Sequence, residues 1–158
     1  MKLEYTILLS SSQETERLGR FLGERLTSGS VVALIGDLGA GKTCLARGLA
    51  RGLGIPEEYV IVSPTFTLAN EYPGPTPFFH LDVYRLDRGG FHEAGLDEYF
   101  SRDGVTAIEW AEKILDELPE SRVDLELSYV DSDGRKAVLR ARGSRYEELL
   151  KELETAWN

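Results

Sequence analysis

The stretch Gly36-Asp37-Leu38-Gly39-Ala40-Gly41-Lys42-Thr43 fits the pattern G-x-x-x-x-G-K-[ST]. It follows a short apolar run, Val31 to Ile35, and opens a helical pattern, Lys42 to Leu53, that Gly54 closes. Strand, glycine-rich turn and helix are the context that gives this motif its meaning. Glycines allow backbone angles closed to other residues and let phosphate oxygens approach the main chain. Successive N–H groups at a helix N-terminus then form an anion nest. Lys42 would add a positive charge at the β- and γ-phosphates, and the Thr43 hydroxyl is a hard oxygen ligand for Mg²⁺. Cys44, next in line, is either a reactive thiol on nucleotide or a small buried hydrophobe.

Such a loop needs a carboxylate to help hold the metal and a group to position the attacking oxygen. Phe78-Phe79-His80-Leu81-Asp82 is a strand of bulky residues ending in an acid. Val105 to Ile108 is a second one, ending at Glu109 and Trp110. In a parallel α/β sheet, ligands collect at the carboxyl ends of the strands. Thr43, Asp82 and Glu109 are therefore expected at one edge, where a cation would offset two carboxylates. His80 shares the face of Asp82 if the strand is regular. It either holds that carboxylate, contacts a phosphate, or fills the core.

The remaining elements follow from periodicity. Glu4 to Leu9 reads as an edge strand. Ser11-Ser12-Gln13-Glu14 is a capping-box pattern before a helix ended by Gly29. Val60 to Val62 and Phe66 to Glu71 are strand-like, and Pro73 to Pro77 is a loop. The strand from Phe78 extends to Tyr84. Phe91 to Phe100 forms a short helix or two turns, and Ala111 to Leu118 a helix. Asp124 to Val130 and Lys136 to Arg142 flank Asp131-Ser132-Asp133-Gly134 as an antiparallel hairpin. Ser144 with Glu147 caps a last helix. Together these predict a single α/β domain over residues 1–158. The expected fold is a three-layer P-loop NTPase fold with a mixed, mainly parallel central sheet and a C-terminal antiparallel hairpin.

Composition sets bounds. The net charge of −9 argues against a surface that grips DNA or RNA directly. The basic run Arg135, Lys136, Arg140, Arg142 and Arg145 is the one local exception. One cysteine cannot form an intramolecular disulfide. No apolar run is long enough to span a membrane, and the N-terminus lacks a signal-peptide pattern, so a cytoplasmic location is expected. Asp87-Arg88-Gly89-Gly90 fits D-x-x-G, but Asp131 to Gly134 does too, and no N-K-x-D segment is present to read guanine. ATP is the expected nucleotide. A small-molecule or nucleoside kinase is the alternative, although Arg85 and Arg88 are the only arginine pair near the presumed site.

Taken together, GDLGAGKT, then Ser63-Pro64-Thr65-Phe66-Thr67-Leu68, then His80-Leu81-Asp82-Val83-Tyr84-Arg85-Leu86, then Glu109-Trp110 closely resemble the TsaE family over residues 12–142. These are small bacterial ATPases that act with the TsaB and TsaD proteins in placing threonylcarbamoyl on adenosine 37 of tRNAs reading ANN codons. The resemblance implies weak ATPase activity alone, with hydrolysis resetting the complex between rounds and tRNA reached through the partners. It implies Gly36, Asp37, Leu38, Gly39, Ala40, Gly41, Lys42, Thr43 and Cys44 as the ATP cradle. Thr43 and Glu109 would ligate Mg²⁺, with Asp82 beside the metal or positioning water. Ser63 to Phe66 would be a switch-like segment with Thr65 nearest the γ-phosphate. Trp110 is either core or a contact for nucleotide or partner. Ser12, Gln13, Gly134 and Arg135 are candidates for the adenine end. Cys44 stands where the family more often has Thr or Ser.

Overall fold

The computed structural model describes residues 3–37, 39–87 and 89–157. Among these residues seven strands form one sheet: β1 (Leu3–Leu9), β2 (Val31–Gly36), β3 (Ala69–Tyr72), β4 (Phe78–Asp82), β5 (Val105–Glu109), β6 (Arg122–Tyr129) and β7 (Arg135–Arg142). Their order is β1-β7-β6-β2-β5-β4-β3. The middle four, β6, β2, β5 and β4, are parallel. The β6–β7 pair, β1 and β3 add antiparallel flanks. Every residue of β4 and β5 is buried, which explains their continuous apolar reading.

Helices α1 (Ser12–Arg25), α2 (Lys42–Gly52) and α4 (Ser144–Ala156) supply apolar faces to one side of the sheet, where Leu18, Leu22, Leu45, Leu49 and Leu150 meet Val32, Leu34 and Leu125. On the other side, Ala33, Leu81 and Ile108 are covered by a one-turn helix, α3 (Gly90–Glu93), and by 3-10 turns. The second outer layer is thus thinner than a helix-on-both-faces sandwich. Beyond it, the faces of β1, β7 and β6 carry charges. Arg140 bonds Glu4 and Glu126 at 3.0 Å each, and Asp124 bonds Arg122 at 2.7 Å and Arg142 at 2.6 Å. Arg140 and Arg142 of the expected basic run are therefore already paired with carboxylates. Among the described residues no helix is long and apolar enough to cross a membrane.

Helices α1 and α2 approach closely because glycines face each other. A Cβ on Gly48 would lie 2.2 Å from the Glu16 carbonyl oxygen, and one on Gly19 would lie 2.3 Å from that of Leu45. Backbone cannot yield as a side chain tip does. Gly48→Ala should therefore cost about 1–3 kcal/mol by overpacking, against the small gain in helix propensity. Urea unfolding would show this as a lower midpoint at unchanged slope, and an unchanged midpoint would contradict it.

Several expectations change. Val60 to Val62 makes no strand, and Phe66 to Glu71 contracts to Ala69–Tyr72. Ser63 and Thr65 are drawn to Asp82 by hydrogen bonds instead of joining a ladder, which leaves Val60, Val62 and Phe66 exposed. Strand β4 stops at Asp82, because the Tyr84 N–H turns back to the Asp82 carboxylate at 2.8 Å. Ala111 to Leu118 is not a helix but two 3-10 turns, Ala111–Lys113 and Leu115–Glu117, interrupted at Ile114. Ser11 caps α1 through the Glu14 N–H as expected, but the Glu14 carboxylate bonds Ser10, one residue earlier than a capping box requires. Helix α4 is preceded by Gly143 and has no side-chain cap from Ser144.

Candidate functional site

Strand β2 ends at Gly36, where a Cβ would come within 2.5 Å of the Leu127 carbonyl. The chain then reaches Gly41, whose φ of +107° sets the entry into α2 without any side-chain cap. The first N–H groups of α2 are thus left to face a ligand. Leu38 lies outside the described residues. Asp37 is exposed and accepts the Ala40 N–H at 3.0 Å. Lys42 is 5% exposed, and its ammonium donates to the Gly36 carbonyl and lies 3.2 Å from the centre of the Trp110 ring. Burial holds Lys42 below the usual lysine range, while Glu112, Glu109, Asp82 and Asp37 pull it the other way.

Parallel pairing of β4 with β5 sets Asp82 opposite Glu109. The two carboxylates have separate partners. Thr43 Oγ1 donates to Glu109, 3.1 Å from Oε1 and 3.0 Å from Oε2. His80 Nε2 is 2.6 Å from Glu109 Oε2, with both side chains buried. The imidazole therefore serves Glu109, not Asp82. Among the described residues His80 Nδ1 is buried with no hydrogen-bond partner, which favours the tautomer with the proton on Nε2. A second N–H at Nδ1 would be a buried orphan donor. Asp82 Oδ2 instead accepts from Ser63 Oγ at 2.7 Å and Thr65 Oγ1 at 3.4 Å. The expected switch-like segment thus meets Asp82.

Two non-glycine residues with positive φ flank this arrangement, Leu68 at 71° and Trp110 at 63°. Each such bulky residue costs roughly 1–3 kcal/mol, which surrounding contacts must offset. The Leu68 carbonyl accepts the Asp82 N–H at 3.0 Å. Trp110 packs on Tyr84 with ring centroids 4.7 Å apart. Its ring lies over Lys42, so it is a wall of the site and not plain core.

A cleft of about 400 Å³ is lined by Lys42, Thr43, Ser63, Thr65, Asp82 and Glu109. It adjoins one of about 370 Å³ whose walls include Ser12, Gln13, Ser132 and Arg135. Gly41 and Cys44 line both. Gly134, by contrast, is buried in the β6–β7 turn, its N–H taken by Asp131 at 2.6 Å, and does not line the cleft. The Cys44 thiol donates to the Ser12 carbonyl at 3.3 Å, and burial with nearby Glu16 pushes it above the usual thiol range. That suits a packed thiol and opposes a reactive one. Arg85 lies over the exposed Phe66 ring at 5.3 Å, and Arg88 lies outside the described residues.

Glu112 was not expected at the site. It accepts the Gly36 N–H at 3.3 Å and is the leading charge acting on Lys42. The available signal was a second acid three residues after Glu109. Tyr84 was likewise not singled out as a wall residue.

A family model described as Threonylcarbamoyl adenosine biosynthesis protein TsaE matches residues 9–137. The tRNA threonylcarbamoyladenosine biosynthesis protein TsaE of Bacillus subtilis (strain 168) is 41% identical over 142 residues, covering 89% of this chain and 88% of that protein. The protein of the same name from Nostoc sp. is 46% identical over 136 residues, covering 83% and 82%. The crystal structure of Bacillus subtilis YdiB aligns with a TM-score of 0.85 at 36% identity, covering 100% of this chain and 99% of that one.

Proposed function

This chain belongs to the TsaE family, and from that premise we propose that it is the ATP-binding and ATP-hydrolysing subunit of tRNA threonylcarbamoyladenosine biosynthesis. Its relatives are named for that pathway. The finer reading is a Mg²⁺-dependent ATPase in the cytoplasm, acting with TsaB and TsaD on adenosine 37 of tRNAs that read ANN codons. The tRNA is reached through those partners, consistent with a net charge of −9 and with arginines already paired to carboxylates.

The observation that carries this reading is the contact between Thr43 and Glu109 at the mouth of the glycine-rich loop. A hydroxyl and a carboxylate in contact are hard oxygen donors. Mg²⁺ takes one or two such protein ligands and leaves its other positions to water and phosphate. The donor set fits: Thr43 and Glu109 would hold the ion, with Asp82 on the neighbouring strand. When bound, the ion supplies charge neutralisation to the phosphates. The chain's own residues do the rest. Gly36 to Thr43 cradle the phosphates, Lys42 moves from the Gly36 carbonyl to them, and His80 keeps Glu109 in place. Asp82, Ser63 and Thr65 form a hydroxyl-carboxylate cluster suited to orienting a water. The second cleft, with Ser12 and Arg135 on its walls, suits the nucleoside end.

Phosphate release should be slow for the isolated protein and rise about tenfold or more when TsaB and TsaD are added, since partners commonly complete such sites. Fast turnover by the isolated chain would count against this. With γ-labelled ATP, the label should appear in inorganic phosphate. Label in another product would instead support a small-molecule or nucleoside kinase. Depleting the protein in cells should remove threonylcarbamoyladenosine from tRNA.

A further inference from the structure

We propose that Arg135 is a positioning residue for the glycine-rich loop: it holds the Gly39 and Ala40 carbonyls from behind and so turns the loop toward the phosphates. The idea rests on the nucleotide-binding reading above, and it makes the β6–β7 hairpin a working part of the nucleotide site.

The guanidinium spans two pieces of chain. Its Nε donates to the Ala40 carbonyl at 3.2 Å and its Nη2 to the Gly39 carbonyl at 3.3 Å. Its Nη1 donates to the carbonyls of Gly134 at 2.9 Å, Asp131 at 3.2 Å and Ser132 at 3.3 Å. The group also lies 4.3 Å from the centre of the Tyr129 ring. The turn that presents it is pinned by Asp131, which accepts the Asp133 and Gly134 N–H groups at 3.1 and 2.6 Å. Those hydrogen bonds keep the Asp131 carboxyl below the usual range. Hairpin and loop are in close contact, since a Cβ on Gly39 would meet the Tyr129 hydroxyl at 2.4 Å.

A planar trans peptide points its C=O and the following N–H in opposite directions. Anchoring the Ala40 carbonyl to Arg135 therefore turns the Gly41 N–H away from the hairpin, toward the start of α2. The cation also polarises the peptides it holds and strengthens their N–H ends as donors to an anion. A lysine cannot do this, because its ammonium is a point charge and cannot bridge both segments as a flat fork does. Arg135 is occupied by carbonyls on both of its edges, so its contribution is to shape the cradle and not to grip phosphate itself.

Arg135→Ala and Arg135→Lys test this. In the nucleotide-free protein, both should speed hydrogen exchange at the Gly41 and Lys42 amides. With Mg²⁺ and ATP, both should weaken binding by about tenfold, the size of one charge-assisted hydrogen bond, and raise KM more than they lower kcat. Millimolar guanidinium should restore part of the affinity of Arg135→Ala. Full affinity in Arg135→Lys would mean that a bare charge suffices, and would overturn the proposal. A lowered Tm with unchanged exchange and affinity would reduce Arg135 to a hairpin stitch, and would also overturn it. If the wild-type protein fails to bind ATP, the function above falls instead, while amide exchange still decides the role of Arg135.

Discussion

Glu109→Gln is expected to reduce phosphate release by about 10²–10³-fold while leaving the fold intact. The two effects separate because the carboxylate has two kinds of partner. Its hydrogen bonds to Thr43 and His80 can be kept by an amide of the same shape: the Gln oxygen accepts from His80 Nε2, and its NH₂ can donate to the Thr43 hydroxyl. Its negative charge cannot be kept. Loss of a charge that holds a metal or stabilises the transition state is worth about two to three powers of ten in kcat. Single-turnover phosphate release with TsaB and TsaD present measures the first effect, and thermal unfolding the second. The same variant tests whether hydrolysis is needed at all. If the tRNA stays fully modified while hydrolysis is lost, nucleotide binding alone is the signal and turnover is incidental. Loss of both together places hydrolysis in the path. Turnover within about twofold of wild type would remove Glu109 from the site altogether.

The centre of this site was legible because three strands state their ends plainly. An apolar run stopped by a glycine-rich loop, and two more stopped by Asp82 and Glu109, give the common edge from the sequence alone. Register then confirms it, with Asp82 opposite Glu109. What stayed hidden depends on contacts far apart in sequence. His80 shares a strand face with Asp82, yet its ring reaches Glu109 on the next strand, and strand periodicity cannot choose between the two. Val60 to Val62 and Phe66 to Glu71 carry enough β-branched and aromatic side chains to read as strands. Two hydroxyls seeking Asp82 override that preference. Trp110 stays divided between core and contact in the sequence because its left-handed backbone angle breaks the helical pattern expected from Ala111. The glycines of α1 and α2 carry no signal in the sequence reading, and only the packed pair shows that they permit backbone contact. Arg135 looked like one cation in a basic run, whereas the structure spends it on carbonyls.

Lys42→Met should abolish nucleotide binding without lowering the stability of the nucleotide-free protein. Burial is the leading influence on Lys42 and outweighs the four carboxylates near it, so the charged form is disfavoured in the fold. The sign follows from proton counting. Near and above the folded pKa the unfolded chain holds more protons at this position than the native one, so stability rises with pH there. That gain is complete only past the ordinary lysine value of about 10.4, and the cost of the buried charge is fully present only below the folded value. Methionine removes the charge and keeps an unbranched side chain of similar reach to lie on the Trp110 ring, where the ammonium sits now. The nucleotide-free Tm of Lys42→Met should therefore equal or exceed that of wild type. ATP with Mg²⁺, which raises the wild-type Tm by mass action, should leave the variant unmoved. The stability difference should also shrink as the pH is raised toward 10, when the wild-type lysine sheds its proton. A Tm several degrees below wild type would mean that Glu112, Glu109 and Asp82 need the cation more than burial penalises it. In that case Lys42 would be a structural ion-pair partner first and a phosphate ligand second.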